Sequence, residues 1–170
     1  MSANYRLSND LKEALQMAQG LNSYVRADAL YGTGGSMFGN APSLTIGGLL
    51  LRLRRLDMLR DEMKRKQGAD LDKAIELHDM VQSEWRVHYE EKMLKEANSR
   101  LDAMRSFFQE CNDNPRACRG NYKPEAMRRT IVQEILIEMG ELGISSKDLT
   151  SKLRDRDGKL RAYIEITPFI

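Results

Sequence analysis

The sequence is poor in the residues from which most catalytic and metal sites are built. Its 170 residues include two cysteines, two histidines and one tryptophan. A zinc ion would need two ligands beyond the cysteines. His88 cannot supply one, because it precedes Cys111 by 23 residues on a predicted helix, or about 35 Å along the axis. A general base beside Cys111 is equally hard to place. We therefore predict no catalytic residues, no metal and no cofactor.

Long apolar runs are also missing. The longest, residues 44–51, contains a threonine and two glycines, whereas a membrane-spanning helix needs about 20 apolar residues. The first residues lack the apolar segment of a signal peptide. We expect no membrane partner, and we expect a cytoplasmic protein.

Neither sign of charge dominates, since 27 Lys and Arg face 25 Asp and Glu for a net charge of +2. The balance hides a local segregation. Residues 52–66 carry seven bases and three acids, and residues 147–161 carry six bases and three acids. Residues 71–113 carry ten acids and six bases. We expect these opposite charges to pack within the protein or in an oligomer, or to bind a ligand.

Two helices and a loop are predicted before residue 68. Apolar residues recur at helical spacing over 9–31, with Ser8 as the N-cap. A second stripe predicts a helix from residue 44 or 45 to 67, ended by Gly68. Residues 32–43 are rich in glycine but match neither GxxxxGK[ST] nor GxGxxG. They predict a connecting loop and no nucleotide site.

The longest periodic segment is 70–112, which contains no glycine or proline. From Leu71 its apolar stripe advances in 11 steps over 40 residues, or 3.64 residues per step, as in a straight α-helix. Met80, Val87 and Leu94 form a second line that widens the predicted buried face. The pattern predicts one long central helix, with a kink near residues 98–99 as the alternative.

The last third has a different order of elements. We predict helices over 124–140 and 146–154, the second begun by a Ser-x-x-Asp capping pattern at residue 145. A turn at residues 157–158 and an alternating strand over 160–166 follow. This is the order of a winged helix-turn-helix, whose second helix enters the major groove.

Together these patterns predict a mainly α protein. A helical bundle over residues 1–143 surrounds the long central helix of about 70–112, and residues 144–170 form a small helix-turn-helix and strand extension packed on it.

Two side-chain patterns leave alternatives. Cys111 and Cys118 are seven residues apart, which fits either free thiols or a local disulfide. Glu84, His88 and Glu91 share one helix face, but the Glu-x-x-His motif of helical di-iron sites is missing from the chain. We therefore interpret the histidines as core or boundary residues.

These observations favour a non-enzymatic interaction or assembly protein, an oligomer or a complex subunit, that acts through an exposed helical stripe. The residues expected to contact the protein partner are Leu94, Leu101, Met104 and Phe108. The alternative is a nucleic-acid-binding protein. Its phosphate contacts would be Arg52, Arg54, Arg55, Arg154, Arg156, Lys159 and Arg161. No small-molecule substrate is indicated.

Overall fold

The computed structural model of the protein describes residues 6–33, 43–114, 118 and 122–161. The prediction of a mainly α, bundle-like protein is confirmed, since six α-helices account for most of these residues. The helices are α1 (Leu7–Arg26), α2 (Ile46–Met58), α3 (Arg65–Glu84), α4 (Arg86–Asp113), α5 (Tyr122–Glu141) and α6 (Lys147–Leu160).

The chain divides into two compact units at Leu94 and Lys95, within α4. The first unit contains α1, α2, α3 and the start of α4, and the second contains the rest of α4, α5 and α6. The predicted boundary after residue 143 falls inside the second unit, between α5 and α6.

In the first unit α1 packs against both α2 and α3. It begins at Leu7 with Arg6 as the N-cap, so Ser8 is not the cap, and it ends at Arg26 rather than at residue 31. Two short strands, β1 (Gly32–Thr33) and β2 (Ser43–Leu44), pair antiparallel between α1 and α2. The loop predicted over 32–43 lies mostly outside the described residues.

The second predicted helix is shorter than expected. Thr45 caps α2, because its hydroxyl oxygen accepts a hydrogen bond from the Gly48 amide at 3.1 Å. The helix ends at Met58, and a 3₁₀ turn follows before α3 begins at Arg65. Gly68 therefore lies in the first turn of α3 and ends no helix, so this part of the prediction is wrong.

The long helix is interrupted once. Trp85 separates α3 from α4 with φ −114° and ψ 35°. Trp85 is hydrogen-bonded to the helix on each side, since its amide donates to the Val81 carbonyl and its carbonyl accepts from the Tyr89 amide, both at 2.9 Å. A single unbroken helix over 70–112 is therefore wrong. Helix α4 is continuous through residues 98–99, where a kink was the alternative.

In the second unit, Gly143 lies just after the end of α5 and adopts the left-handed conformation, with φ 72°. The N-cap of α6 is Ser146 and not Ser145, and its side chain makes no capping hydrogen bond, so the predicted capping pattern is wrong. Helix α6 runs on to Leu160 through the predicted turn at residues 157–158. The strand predicted over 160–166 is wrong at residues 160 and 161, which are helical, and residues 162–166 lie outside those described.

A disulfide joins Cys111, near the end of α4, to Cys118. The two Cα atoms are 5.5 Å apart, and both side chains are buried. The alternative left open by the spacing is therefore decided in favour of the disulfide.

Candidate functional site

A groove between α5 and α6 is the clearest concave site in the described part of the chain. It lies within the second unit and has a volume of about 440 Å³. That volume is in the range of ligand-binding pockets. Its walls consist of Arg129, Gln133, Leu136, Ile137, Thr150, Leu153, Arg154, Asp157, Gly158 and Arg161.

Helical spacing explains why these residues meet. Positions 129, 133 and 136 share one face of α5, and positions 150, 154, 157 and 161 share one face of α6. The leucine and isoleucine side chains give the groove an apolar lining. Its charged residues are three arginines and one aspartate.

Arg129 and Asp157 form an ion pair between the two helices. The Arg129 Nε and Nη2 groups each donate a hydrogen bond to the Asp157 carboxylate, and both distances are 3.0 Å. These bonds raise the pKa of the Arg129 guanidinium above its ordinary value. The two-pronged geometry fixes both side chains. Asp157 therefore neutralises Arg129 and leaves the other two arginines to set the charge of the groove.

Arg154 and Arg161 are exposed and have no ion-pair partner in the part of the chain that the structure describes. They are seven residues apart on α6, or about 10 Å along the helix axis. A guanidinium that is not paired internally is available for a carboxylate or phosphate of a ligand. The groove thus offers two cationic groups together with the apolar side chains of Leu136, Ile137 and Leu153.

The other basic residues predicted on α6 are engaged. Arg156 is buried, where its Nε donates to the Leu101 carbonyl at 3.4 Å and its guanidinium also pairs with Asp155. Lys159 lies 4.0 Å from the same aspartate. Of the four predicted phosphate-binding residues in this segment, the structure brings two, Arg154 and Arg161, into the groove.

The predicted basic patch of the first unit has a structural role. Arg52 and Arg55 both pair with Asp10 of α1, and Arg52 also lies 2.7 Å from Glu13. The side chain of Asp10 is only 5% exposed. Arg54 is exposed on the outer face of α2. Two of the three arginines therefore connect α2 to α1.

The stripe predicted to contact a protein partner is mostly internal. Leu101, Met104 and Phe108 are 1%, 0% and 4% exposed, and Leu94 is partly buried. The expectation that Leu101, Met104 and Phe108 form an exposed stripe is wrong, because the protein's own chain buries them. The periodicity identified a buried face without showing what covers it.

Two apolar residues that were predicted to be buried are exposed instead. Met80 and Val87 were expected to widen the buried face, yet they are 54% and 65% exposed. They lie in the first unit, one on each side of Trp85. Exposure of such side chains on a helix face indicates a surface that can take part in association.

The histidines lie in different surroundings. His78 is buried and shares hydrogen bonds with the Tyr89 hydroxyl at 2.8 Å and with Asp79 at 2.9 Å. The prediction of a satisfied core histidine is confirmed for His78. His88 is exposed and packs edge-on against the Trp85 ring. In the described segments no group of three or more His, Cys, Asp and Glu side chains is arranged to hold a metal ion.

The groove residues Arg129, Asp157 and Gly158 were missed by sequence reasoning. The available signal was the spacing of positions 150, 154, 157 and 161 on one helix face, but it was hidden by the shorter helix predicted there.

No helix among the described residues combines the length and apolar character needed to cross a membrane. Comparisons with protein-family models, with curated proteins and with solved structures found no match.

Proposed function

We propose that the protein is a non-enzymatic interaction protein that binds an acidic, partly apolar segment of a protein partner in the α5–α6 groove. One observation carries the proposal. Arg154 and Arg161 line an apolar groove and have no ion-pair partner among the described residues. Exposed arginines placed beside apolar side chains favour a partner with both kinds of group.

The spacing of the arginines defines the segment. Two carboxylates about 10 Å apart lie seven residues apart on an α-helix. A helix that docks between two others uses apolar residues at i, i+3, i+4 and i+7 positions. We therefore propose a helical segment with two acids seven residues apart and an apolar residue between them.

A nucleic-acid partner is the alternative, and the surroundings of the groove favour it less. Leu136, Ile137 and Leu153 occupy much of the lining, and such side chains give no contact to phosphates. Arg156 and Lys159, which would extend the basic surface along α6, already lie next to Asp155. A phosphate backbone would find only two available guanidinium groups in the groove.

A binding experiment tests the proposal. The probe is a fluorescein-labelled helical peptide with two glutamates seven residues apart and a valine between them, followed by fluorescence anisotropy at low salt. The double variant Arg154→Ala/Arg161→Ala removes two charge-assisted contacts, so we expect the peptide to bind more than about tenfold more weakly. The matched control is Arg105→Ala/Lys159→Ala, which removes two exposed charges outside the groove and leaves the affinity unchanged.

Two other outcomes contradict the proposal. If wild-type protein and the groove variant bind the peptide equally, the groove is not the site. If the peptide does not bind but labelled duplex DNA does, with an affinity that falls steeply as salt rises, the nucleic-acid alternative replaces it.

The compartment is a separate part of the proposal. The cytoplasmic location predicted from the sequence stays a prediction. The disulfide between Cys111 and Cys118 favours an oxidising compartment instead, since disulfides are rare in the cytosol. Alkylation of thiols in a fresh lysate of the source, before and after reduction, distinguishes the two.

A further inference from the structure

We infer that the segment bound by the groove belongs to a second copy of this chain. The inference rests on the proposed function and names its partner. The segment is the surface formed by Met80, Glu84, Val87 and Glu91, which we call the acidic face. It lies on α3 and α4 within the first unit.

The acidic face is exposed, and its glutamates are unpaired within the segments that the structure describes. Met80 and Val87 are among the most exposed large apolar side chains of the described residues. Glu84 and Glu91 are exposed and have no ion-pair partner within the described segments. Hydrogen bonds join Trp85 to α3 on one side and to α4 on the other. Met80 and Glu84 thus share one face at the end of α3, and Val87 and Glu91 share one face at the start of α4.

The acidic face and the groove match in charge and in spacing. Glu84 and Glu91 are seven residues apart in the sequence, as Arg154 and Arg161 are. The two glutamates lie at the end of α3 and near the start of α4, and the two arginines lie on α6 and at its C-cap. Val87 lies between the two acids, and Gly158 lies between the two arginines. A Cβ atom added at Gly158 would meet no other atom within 4 Å, so the groove has open space at that level.

The two surfaces differ, which determines the kind of assembly. Since the acidic face lies in the first unit and the groove in the second, each copy offers one of each. Such a head-to-tail contact forms a closed ring or an open chain, whereas a two-fold dimer uses the same surface on both copies. In a head-to-tail contact, a variant without a working groove can still bind through its acidic face to the groove of a variant that has lost its acidic face. Mixing two such variants should therefore restore association.

Sedimentation velocity at low salt tests the inference with two double variants. The groove variant is Arg154→Ala/Arg161→Ala, and the face variant is Glu84→Gln/Glu91→Gln. We expect wild-type protein to form species that grow with concentration, and each variant alone to associate more than about tenfold more weakly. An equal mixture should form dimers and nothing larger, because the intact face of one variant meets the intact groove of the other.

A charge exchange provides a second test. A chain that carries Glu84→Arg, Glu91→Arg, Arg154→Glu and Arg161→Glu has both surfaces reversed, and we expect it to regain association. The matched control is Asp102→Asn/Glu110→Gln, which removes two exposed acids elsewhere on α4 and leaves association unchanged. Circular dichroism melting curves verify that every variant is folded.

Three results overturn the inference: a monomeric wild-type chain at every concentration tested, a mixture that stays monomeric, or a reversed chain that does not associate although it is folded. These results are distinct from failure of the proposed function. If the labelled peptide binds in the groove of a monomeric wild-type chain, the groove binds an acidic segment of another protein, and only the choice of partner is wrong. If the peptide does not bind either, both proposals fail.

Discussion

Two basic segments that resemble each other in the sequence have different roles in the structure. Residues 52–66 and 147–161 differ by one unit of net charge, +4 against +3. In the first, Arg52 and Arg55 pair with a nearly buried aspartate of another helix. In the second, two arginines line a groove and have no such partner in the described part of the chain.

The difference arises from where the neighbouring helix places its carboxylates. Helix α1 presents Asp10 and Glu13, one turn apart, to the arginines of α2. Helix α5 presents Arg129, Gln133 and apolar residues to α6, and the carboxylate in the groove, Asp157, pairs with Arg129. A count of charges along the chain contains no information about the facing helix. It therefore cannot distinguish a structural arginine from one that is available to a partner.

The largest expected effect on stability comes from removing the Asp10 carboxylate, which pairs with Arg52 and Arg55 in the first unit. Asp10→Ala leaves Arg52 and Arg55, both partly buried, without their shared carboxylate. Since removal of one member of a buried ion pair leaves uncompensated charge, we expect the free energy of unfolding to fall by about 2–4 kcal/mol. Urea denaturation followed by circular dichroism measures the change.

The groove variant Arg154→Ala/Arg161→Ala is the matched control for Asp10→Ala. It removes two arginine charges that have no ion-pair partner among the described residues, so its stability should stay within about 0.5 kcal/mol of wild type. Equal destabilisation by both variants would remove the distinction between the two segments.

The periodicity of apolar residues predicted the existence of α1, α2 and α5 and the helical nature of residues 70–112. It could not predict the interruption at Trp85, since a single residue with φ −114° and ψ 35° leaves the apolar spacing intact. The Trp85 ring lies 5.1 Å from the Arg26 guanidinium and 5.6 Å from the His88 ring. These contacts depend on another helix and on the fold, which the local pattern does not contain.

The end of α6 illustrates a second limit. Asp157 and Gly158 have the composition of a turn, but Asp157 is held by Arg129 of α5 and the helix continues past both residues. Tertiary pairing thus overrides the local preference for a turn. The groove was missed for the same reason, because three of its ten lining residues, Asp157, Gly158 and Arg161, join the others only when α6 extends beyond residue 154.

Loss of the disulfide should affect the second unit, which contains both cysteines, and leave the first unit unchanged. It closes a short ring between Cys111 and Cys118, and ring closure of this length stabilises by about 2 kcal/mol in the chain-entropy view. We expect Cys111→Ala/Cys118→Ala to increase amide hydrogen exchange at the end of α4 and the start of α5. Exchange in α1 and α3 should be unchanged, as measured by mass spectrometry.

Faster exchange throughout both units would contradict this, because it would show that the chain unfolds as one cooperative unit. Treatment of wild-type protein with a reductant is the matched measurement. It breaks the same bond without changing a side chain, and we expect it to give the same pattern as the double variant.

The smallest expected change in stability is a gain, and it comes from replacing Gly158 in the groove. Glycine is less favourable than alanine or leucine inside a helix by about 0.5–1 kcal/mol. Since nothing lies within 4 Å of an added Cβ, Gly158→Leu should stabilise the second unit by a few tenths of a kcal/mol up to this amount. The added side chain occupies the groove, so binding of the acidic peptide should weaken more than tenfold while the melting temperature rises.

Gly140 is the matched position for this last comparison. It lies near the end of α5 as Gly158 lies near the end of α6, an added Cβ again meets nothing within 4 Å, and it does not line the groove. Gly140→Leu should therefore raise stability without changing peptide affinity. If both leucine variants retain full affinity, the space beside Gly158 is not used by the ligand. If both lose affinity, the effect of Gly158→Leu cannot be assigned to the groove. The proposal requires that both leucine variants are more stable than wild type and that only Gly158→Leu binds the peptide more weakly. That result would show that the space beside Gly158 in the second basic segment is used by a partner.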